Sequence, residues 1–282
     1  MQIHAVQTGT VMIRASQPNG SSGSGYLRLI NTLRDPNWTP PLPINVWVIE
    51  HPEGVIVVDT GETANALKPG HFPWWHPFYR FGFKEAITPD DEVGPQLRKI
   101  GISPDDVRWV VMTHLHTDHA GGIYHFPKSE FIVGRTEFAA TGGFNGQLLA
   151  YLPQHFPDWF KPRLIDFKPQ ATASQARGSF PVSYPLTQAG DVLLVPTPGH
   201  TDGHLSVILR EGDQSIFFAG DTSYSEAHLL KHTVDGVTQD QASSRQTLDR
   251  INQYVRSTPT VYLPTHDPGS ADRLARRAVV QP

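Results

Sequence analysis

Six consecutive residues constrain this chain more than any other stretch. His114-Leu115-His116-Thr117-Asp118-His119 packs three histidines and a carboxylate directly after the apolar run Val107–Met112. On an extended backbone His114 and His116 project to one side, because side chains alternate with period two. The turn that follows can aim Asp118 and His119 at a neighbouring point. Two such clusters suit two metal ions sharing a site, and imidazole with carboxylate suits Zn²⁺, Fe²⁺, Mn²⁺ or Co²⁺. The chain has 14 histidines, so a chance cluster has to be weighed against a site. The deciding question is whether further ligands stand downstream at strand ends.

They do. Val11–Ala15, Val46–Glu50 and Gly54–Asp59 read as strands, with Pro52-Glu53-Gly54 as a turn, and the third ends in Asp59-Thr60-Gly61. A carboxylate emerging from a buried apolar strand needs a partner, since an unpaired buried charge is costly. Asp59 is expected to support the metal ligands, the alternative being a helix cap. Asp91–Ile100 reads as a short helix, and Ser103-Pro104-Asp105-Asp106 as a helix start leading into the strand Arg108–Thr113. Ala120-Gly121-Gly122 lets the backbone turn tightly. Glu130–Val133 and Arg163–Phe167 are further strands, Thr136–Thr141 begins a helical piece, and Ala171–Gly178 is a polar loop.

The second half repeats the rhythm. Asp191–Pro196 ends at Thr197-Pro198-Gly199-His200, and Leu205–Arg210 with Ser215–Ala219 forms a hairpin ending at Gly220-Asp221-Thr222. Ser243–Arg256 is a helix, and Thr260–Leu263 is a strand ending at Thr265-His266-Asp267. Two strand-rich halves capped by helices predict an α/β protein, a four-layer αββα sandwich with the ligands at one edge, as one domain over residues 1–282. Candidate ligands at the ends of four different strands match where chemistry accumulates on such scaffolds.

Composition excludes several classes. A net charge of −4 gives no basic footprint for nucleic acid. The absence of cysteine excludes disulfides and thiolate ligands. No run reaches the roughly 18 apolar residues of a membrane span, and no signal peptide is visible, so a cytoplasmic location is expected. Asn19–Gly25 is linker-like. His71–Lys84 carries seven phenylalanines, tyrosines and tryptophans without helical or alternating period. It is expected to be an apolar lid, with Phe72, Trp74, Trp75, Phe78, Tyr79, Phe81 and Phe83 lining the mouth of the site, or a homodimer contact, or both, or loop packing. Gly142–Trp159 is a second candidate wall.

The set His114, His116, Asp118, His119, His200, Asp221 and His266 resembles that of the metallo-β-lactamase superfamily, from Asp59-Thr60-Gly61 to His266. The resemblance implies that His114, His116 and His200 bind one metal, that Asp118, His119 and His266 bind the other, and that Asp221 bridges both. Within the superfamily the chain is similar to the N-acyl-homoserine lactone lactonases. Tyr224 stands three residues after Asp221, and Thr197–His204 and His266-Asp267 match further family motifs. The implied function is opening of the lactone ring by a hydroxide held between two divalent ions. Zinc is the first choice of ion, with Fe, Mn or Co as alternatives. Tyr224 would donate to the developing oxyanion, Asp118 would pass a proton to the leaving alkoxide, and Asp59 would orient a ligand histidine, with His204 either doing likewise or simply packed. A promiscuous esterase, arylesterase or phosphotriesterase of the same fold is the alternative.

Overall fold

The protein, for which a computed structural model is used, is described over residues 1–21, 23, 26–167 and 180–282. The loop expected at Ala171–Gly178 lies outside the described residues, as do three residues of Asn19–Gly25. Two sheets organise the described chain. The first contains β1 (Gln2–Ile13), β2 (Leu42–His51), β3 (Gly54–Val58), β4 (Phe83–Ala86), β5 (Val107–Val111), β6 (Glu130–Gly134) and β7 (Arg163–Ile165) in the order β4-β1-β2-β3-β5-β6-β7. The second contains β8 (Tyr184–Pro185), β9 (Val192–Pro196), β10 (Leu205–Glu211), β11 (Gln214–Gly220) and β12 (Thr260–Pro264) in the order β12-β11-β10-β9-β8. Strands β3, β5, β6 and β7 run parallel, as do β11 and β12, while the hairpins pair antiparallel.

The apolar runs are continuous because both faces of each sheet are covered. Along β2, Trp47 and Ile49 face the second sheet, whereas Val46 and Val48 face the outer layer. The same alternation sends Trp109 and Val111 of β5 inward, and Val110 and the following Met112 outward. From the second sheet Val207, Leu209, Ile216, Phe218 and Leu263 meet the inward set, all essentially inaccessible. Each such side chain contributes on the order of 1.5–3 kcal/mol on burial. Val93 and Leu97 of the helix Val93–Lys99 cover the first sheet, and Leu248, Ile251 and Val255 of the helix Gln241–Ser257 cover the second. These four layers are the αββα sandwich of the metallo-β-lactamase fold.

Several elements differ from the sequence reading. β1 begins at Gln2 rather than Val11 and shifts register between Gln7 and Thr10, so its first half lacked a clean apolar alternation to read. Pro104–Asp106 is only a single 3₁₀ turn capped by Ser103, which leads straight into β5. The aromatic segment holds a short helix, Pro77–Phe81, followed by β4. The helix Ser270–Arg276, which follows the last candidate ligand, was not foreseen.

Candidate metal centre

Every downstream candidate ligand emerges where a strand stops. β5 runs into the loop bearing His114 and His116, and a short helix, Thr117–Ala120, carries Asp118 and His119. His200 follows β9, Asp221 follows β11 and His266 follows β12. Gly220 adopts a left-handed φ of 57°, and a Cβ there would fall 2.6 Å from His204 Nε2, so only glycine makes the turn that presents Asp221. Gly121 and Gly122 serve space rather than dihedral freedom. A Cβ on Gly122 would stand 2.3 Å from the Thr60 carbonyl oxygen.

All seven predicted ligands converge. Donor atoms of His114, His116 and His200 lie within 4.8 Å of one another, and so do those of His114, His119 and Asp221 and those of Asp118, His119 and His266. Asp221 sits centrally, with Oδ1 3.3 Å from His119 Nε2 and Oδ2 3.7 Å from His200 Nε2 and 3.4 Å from His266 Nε2. Asp118 Oδ2 is 3.3 Å from His266 Nε2. His116 Nδ1 faces His200 Nε2 at 3.1 Å.

Three atoms facing the cluster, His114 Nε2, His119 Nε2 and Asp221 Oδ1, are buried without a hydrogen-bond partner, while His200 Nδ1 turns to Asp235 Oδ2 at 3.6 Å. Orphaned buried polar atoms are rare and costly. The donors are imidazole nitrogens and carboxylate oxygens with no thiolate, a set that fits borderline divalent ions. Electrostatics point the same way. Burial alone would lower the His119 and His266 imidazoles, but Asp221 and its neighbouring carboxylates overcome it. They hold His119 well above its ordinary value and His266 up at about 10. Burial pushes Asp118 up, and His119 and His266 more than offset it, drawing Asp118 down to about 2. Burial and the neighbouring imidazoles push His114 well down and His116 down to about 3, so these two rings stay neutral.

Asp59 stands behind this cluster. Its Oδ1 accepts from the Thr113 amide at 2.7 Å, and its Oδ2 accepts from Thr113 Oγ1 at 2.8 Å and faces His119 Nδ1 at 2.9 Å. It orients a histidine of the cluster and does not cap a helix. His204 instead accepts from the Asp221 amide through Nε2 at 3.1 Å, with Nδ1 2.9 Å from Thr197 Oγ1, so it shapes the Asp221 turn. Tyr224 stacks on His266 at 5.7 Å, and its Oη accepts from Gln17 Nε2 at 2.7 Å. Gln17 was not legible in the sequence, since it lies 207 residues from Tyr224. Also missed was Glu137, fully buried, which accepts from the Leu115 amide at 2.9 Å and Thr201 Oγ1 at 2.7 Å and so ties the two ligand loops together. Its position one turn past an apolar strand was the available signal.

The cluster forms the floor of a cavity of about 410 Å³. Val11, Ile13, Leu29, Phe78, Tyr79 and Phe83 supply much of its wall, and Leu148 and Leu149 complete it from the segment expected as a second wall. Phe72, Trp74, Trp75 and Phe81 do not line it. Trp74 is 81% exposed, and Trp75 stacks on Phe144 at 5.7 Å. The sequence expectation for these four rings is therefore corrected. An outward run at the start of the segment leaves the wall to the helix and strand that follow.

The family model for the metallo-beta-lactamase superfamily matches residues 39–266. The chain belongs to that superfamily. Among its relatives is N-acyl homoserine lactonase AttM of Rhizobium radiobacter, 24% identical over 280 residues, covering 95% of this chain and 94% of that protein. A solved structure of N-acyl homoserine lactone hydrolase, with the product N-hexanoyl-L-homoserine at its catalytic metal centre, superposes with a TM-score of 0.72. Its identity is 22%, over 99% of this chain and 96% of that one. The dizinc quorum-quenching lactonase AidC, also solved with N-hexanoyl-homoserine product, gives a TM-score of 0.64 at 15% identity, over 95% and 88% of the two chains. Among the described residues no helix is long and apolar enough to cross a membrane.

Proposed function

We propose that this protein is a dinuclear metal-dependent hydrolase that opens the lactone ring of N-acyl-homoserine lactones. The observation that carries the reading is the set of three overlapping donor groups at the floor of an apolar-walled cavity. His114, His116 and His200 would hold one divalent ion, Asp118, His119 and His266 the other, and Asp221 would reach both. Zinc is the ion we assign, and iron, manganese and cobalt suit the same donors. Such ions, when bound, polarise a carbonyl oxygen and lower the pKa of water to roughly 7. The relatedness to lactonases along nearly the whole chain supports the substrate class.

The chain's own groups divide the remaining work. Tyr224 Oη already accepts a hydrogen bond from Gln17, so its own proton is free to be donated to the carbonyl oxygen as negative charge develops there. Asp118, with a side chain 22% exposed, presents its carboxylate to the cavity. It can take a proton at its carboxylate and return it to the alkoxide that leaves the ring. Asp59 holds the His119 ring in place. The apolar wall offers a place for an acyl chain, each buried CH₂ being worth about 0.8 kcal/mol.

The test joins metal analysis to a substrate panel. About two divalent ions per chain are expected, with kcat/KM highest on N-acyl-homoserine lactones, lost on chelation and restored by added metal. Full activity in metal-free protein would sink the dinuclear reading. Preference for aryl esters or phosphotriesters over every lactone would move the protein to another branch of the superfamily.

A further inference from the structure

Glu85 and Glu62 form a carboxyl pair that the chemistry above does not use. β4 pairs antiparallel with β1, placing Glu85 opposite Val11 and Phe83 opposite Ile13, and these four residues line the cavity. Glu85 is thus a carboxyl set in an apolar strip of wall. Behind it Glu62 is wholly buried, and the two side chains are hydrogen-bonded to each other. Glu62 also accepts from the Thr63 amide at 2.8 Å and bonds the Thr117 side chain. A Cβ at Gly121 would fall 2.4 Å from Glu62 Oε1, so this glycine makes room for the pair.

Two carboxyl groups in contact inside a protein do not both ionise. Burial lifts Glu62 to about 8, and burial together with the Glu62 charge lifts Glu85 well above the carboxylate range. The bond between them fixes the Glu85 side chain and still leaves it acceptor capacity. Among the other polar groups lining this cavity Gln17 Oε1 and His76 Nδ1 are unpartnered too, but Glu85 alone of the three stands on the strand that carries Phe83. Gln17 Nε2 donates to Tyr224 Oη, Tyr79 Oη donates to the Ala150 carbonyl at 2.6 Å, and His76 Nε2 is 3.2 Å from the Leu148 carbonyl. Glu85 also stands at a boundary, two residues along β4 from Phe83 in a cavity whose lining includes Asp118.

We propose that Glu85, held by Glu62, is a specificity-determining residue that accepts the amide N–H of the acylated substrate and so separates N-acyl amino lactones from plain alkyl lactones. The inference rests on the lactonase reading. That substrate class carries one N–H, placed between ring and tail, and Glu85 stands between the polar floor and the apolar wall. A site built to bond a polar group rejects the analogue that lacks it far more strongly than an apolar pocket rejects a missing methylene.

The experiment compares kcat/KM of the metal-loaded protein on N-hexanoyl-homoserine lactone and on a γ-alkyl lactone of matched length. In Glu85→Leu the amide-over-alkyl preference should fall about ten- to hundredfold, the cost of burying the amide N–H without a partner. Glu85→Gln keeps a carbonyl acceptor and should retain most of the preference, with metal content unchanged in both variants. Equal falls on the two lactones would show that Glu85 only supports the fold, and an unchanged preference in Glu85→Leu would show that it makes no substrate contact. Either overturns the inference and leaves the lactonase reading intact. A parent protein that opens neither lactone but cleaves aryl esters or phosphotriesters removes the lactonase reading itself, and this inference with it.

Discussion

Replacing Asp59 by asparagine tests the metal centre through a residue that is not among the proposed ligands. For His119 to offer Nε2 to a cation, its Nδ1 must carry the hydrogen and donate it to Asp59 Oδ2, 2.9 Å away. Asparagine keeps an acceptor for the Thr113 amide and tolerates the left-handed φ of 63° at this position. It also turns an NH₂ group toward the His119 N–H, setting donor against donor. The ring must then lose the bond or move its hydrogen to Nε2, where the ion would bind. Losing such an outer partner costs roughly 10–100-fold in metal affinity, while one weakened buried hydrogen bond costs the fold about 1–3 kcal/mol. Asp59→Ala should be worse for the fold, because a left-handed alanine adds roughly 1–2 kcal/mol of strain. Competition titration against a chromogenic chelator measures affinity, and thermal unfolding of metal-depleted protein measures stability. The expected stability order is parent, Asn, Ala, with both variants losing metal affinity. An Asp59→Asn protein that binds metal as tightly as the parent would refute the tautomer argument.

Asp221→Asn should weaken both ions and reduce activity far more than Asp202→Asn, a change at an exposed position outside the cluster; equal effects in metal analysis and turnover would remove Asp221 from the site. Tyr224→Phe should lower kcat about 10²–10³-fold with little change in metal content, the usual effect of removing an oxyanion donor, and an unchanged kcat would assign Tyr224 to packing against His266. If the wall holds an acyl chain, kcat/KM should climb with chain length in the parent and climb less in Phe83→Ala, whereas Trp74→Ala, altering an 81% exposed side chain, should leave the slope as it was. A flat dependence in the parent would assign the aromatic wall another task.

The layered architecture was legible because the strands bearing Trp47, Ile56, Trp109 and Val207 are apolar on both faces, and only a sheet covered on each side needs that. The ligand set was legible because its members stand at strand ends in fixed local patterns. What could not be read has a common cause. Gln17 and Tyr224, or Glu62 and Glu85, meet only through the fold, and no local spacing marks their partners. The aromatic segment misled in detail for a related reason. Seven large rings announce apolar contact, but which of them point inward depends on the helix Pro77–Phe81 and on the pairing of β4 with β1.

The candidate ligands do not belong to one sheet. His114, His116, Asp118 and His119 follow β5 of the first, while His200, Asp221 and His266 follow strands of the second. Neither half of the sandwich owns a full complement of donors, so a cation seated there would act as a rivet through both plates. Occupancy at a hundred times the dissociation constant adds about 2.7 kcal/mol against unfolding, and the strain of prising the sheets apart would fall on the metal–ligand bonds. The lifetime of the folded protein would then follow the supply of the ion, and a cell starved of metal would lose the polypeptide to proteolysis along with its activity.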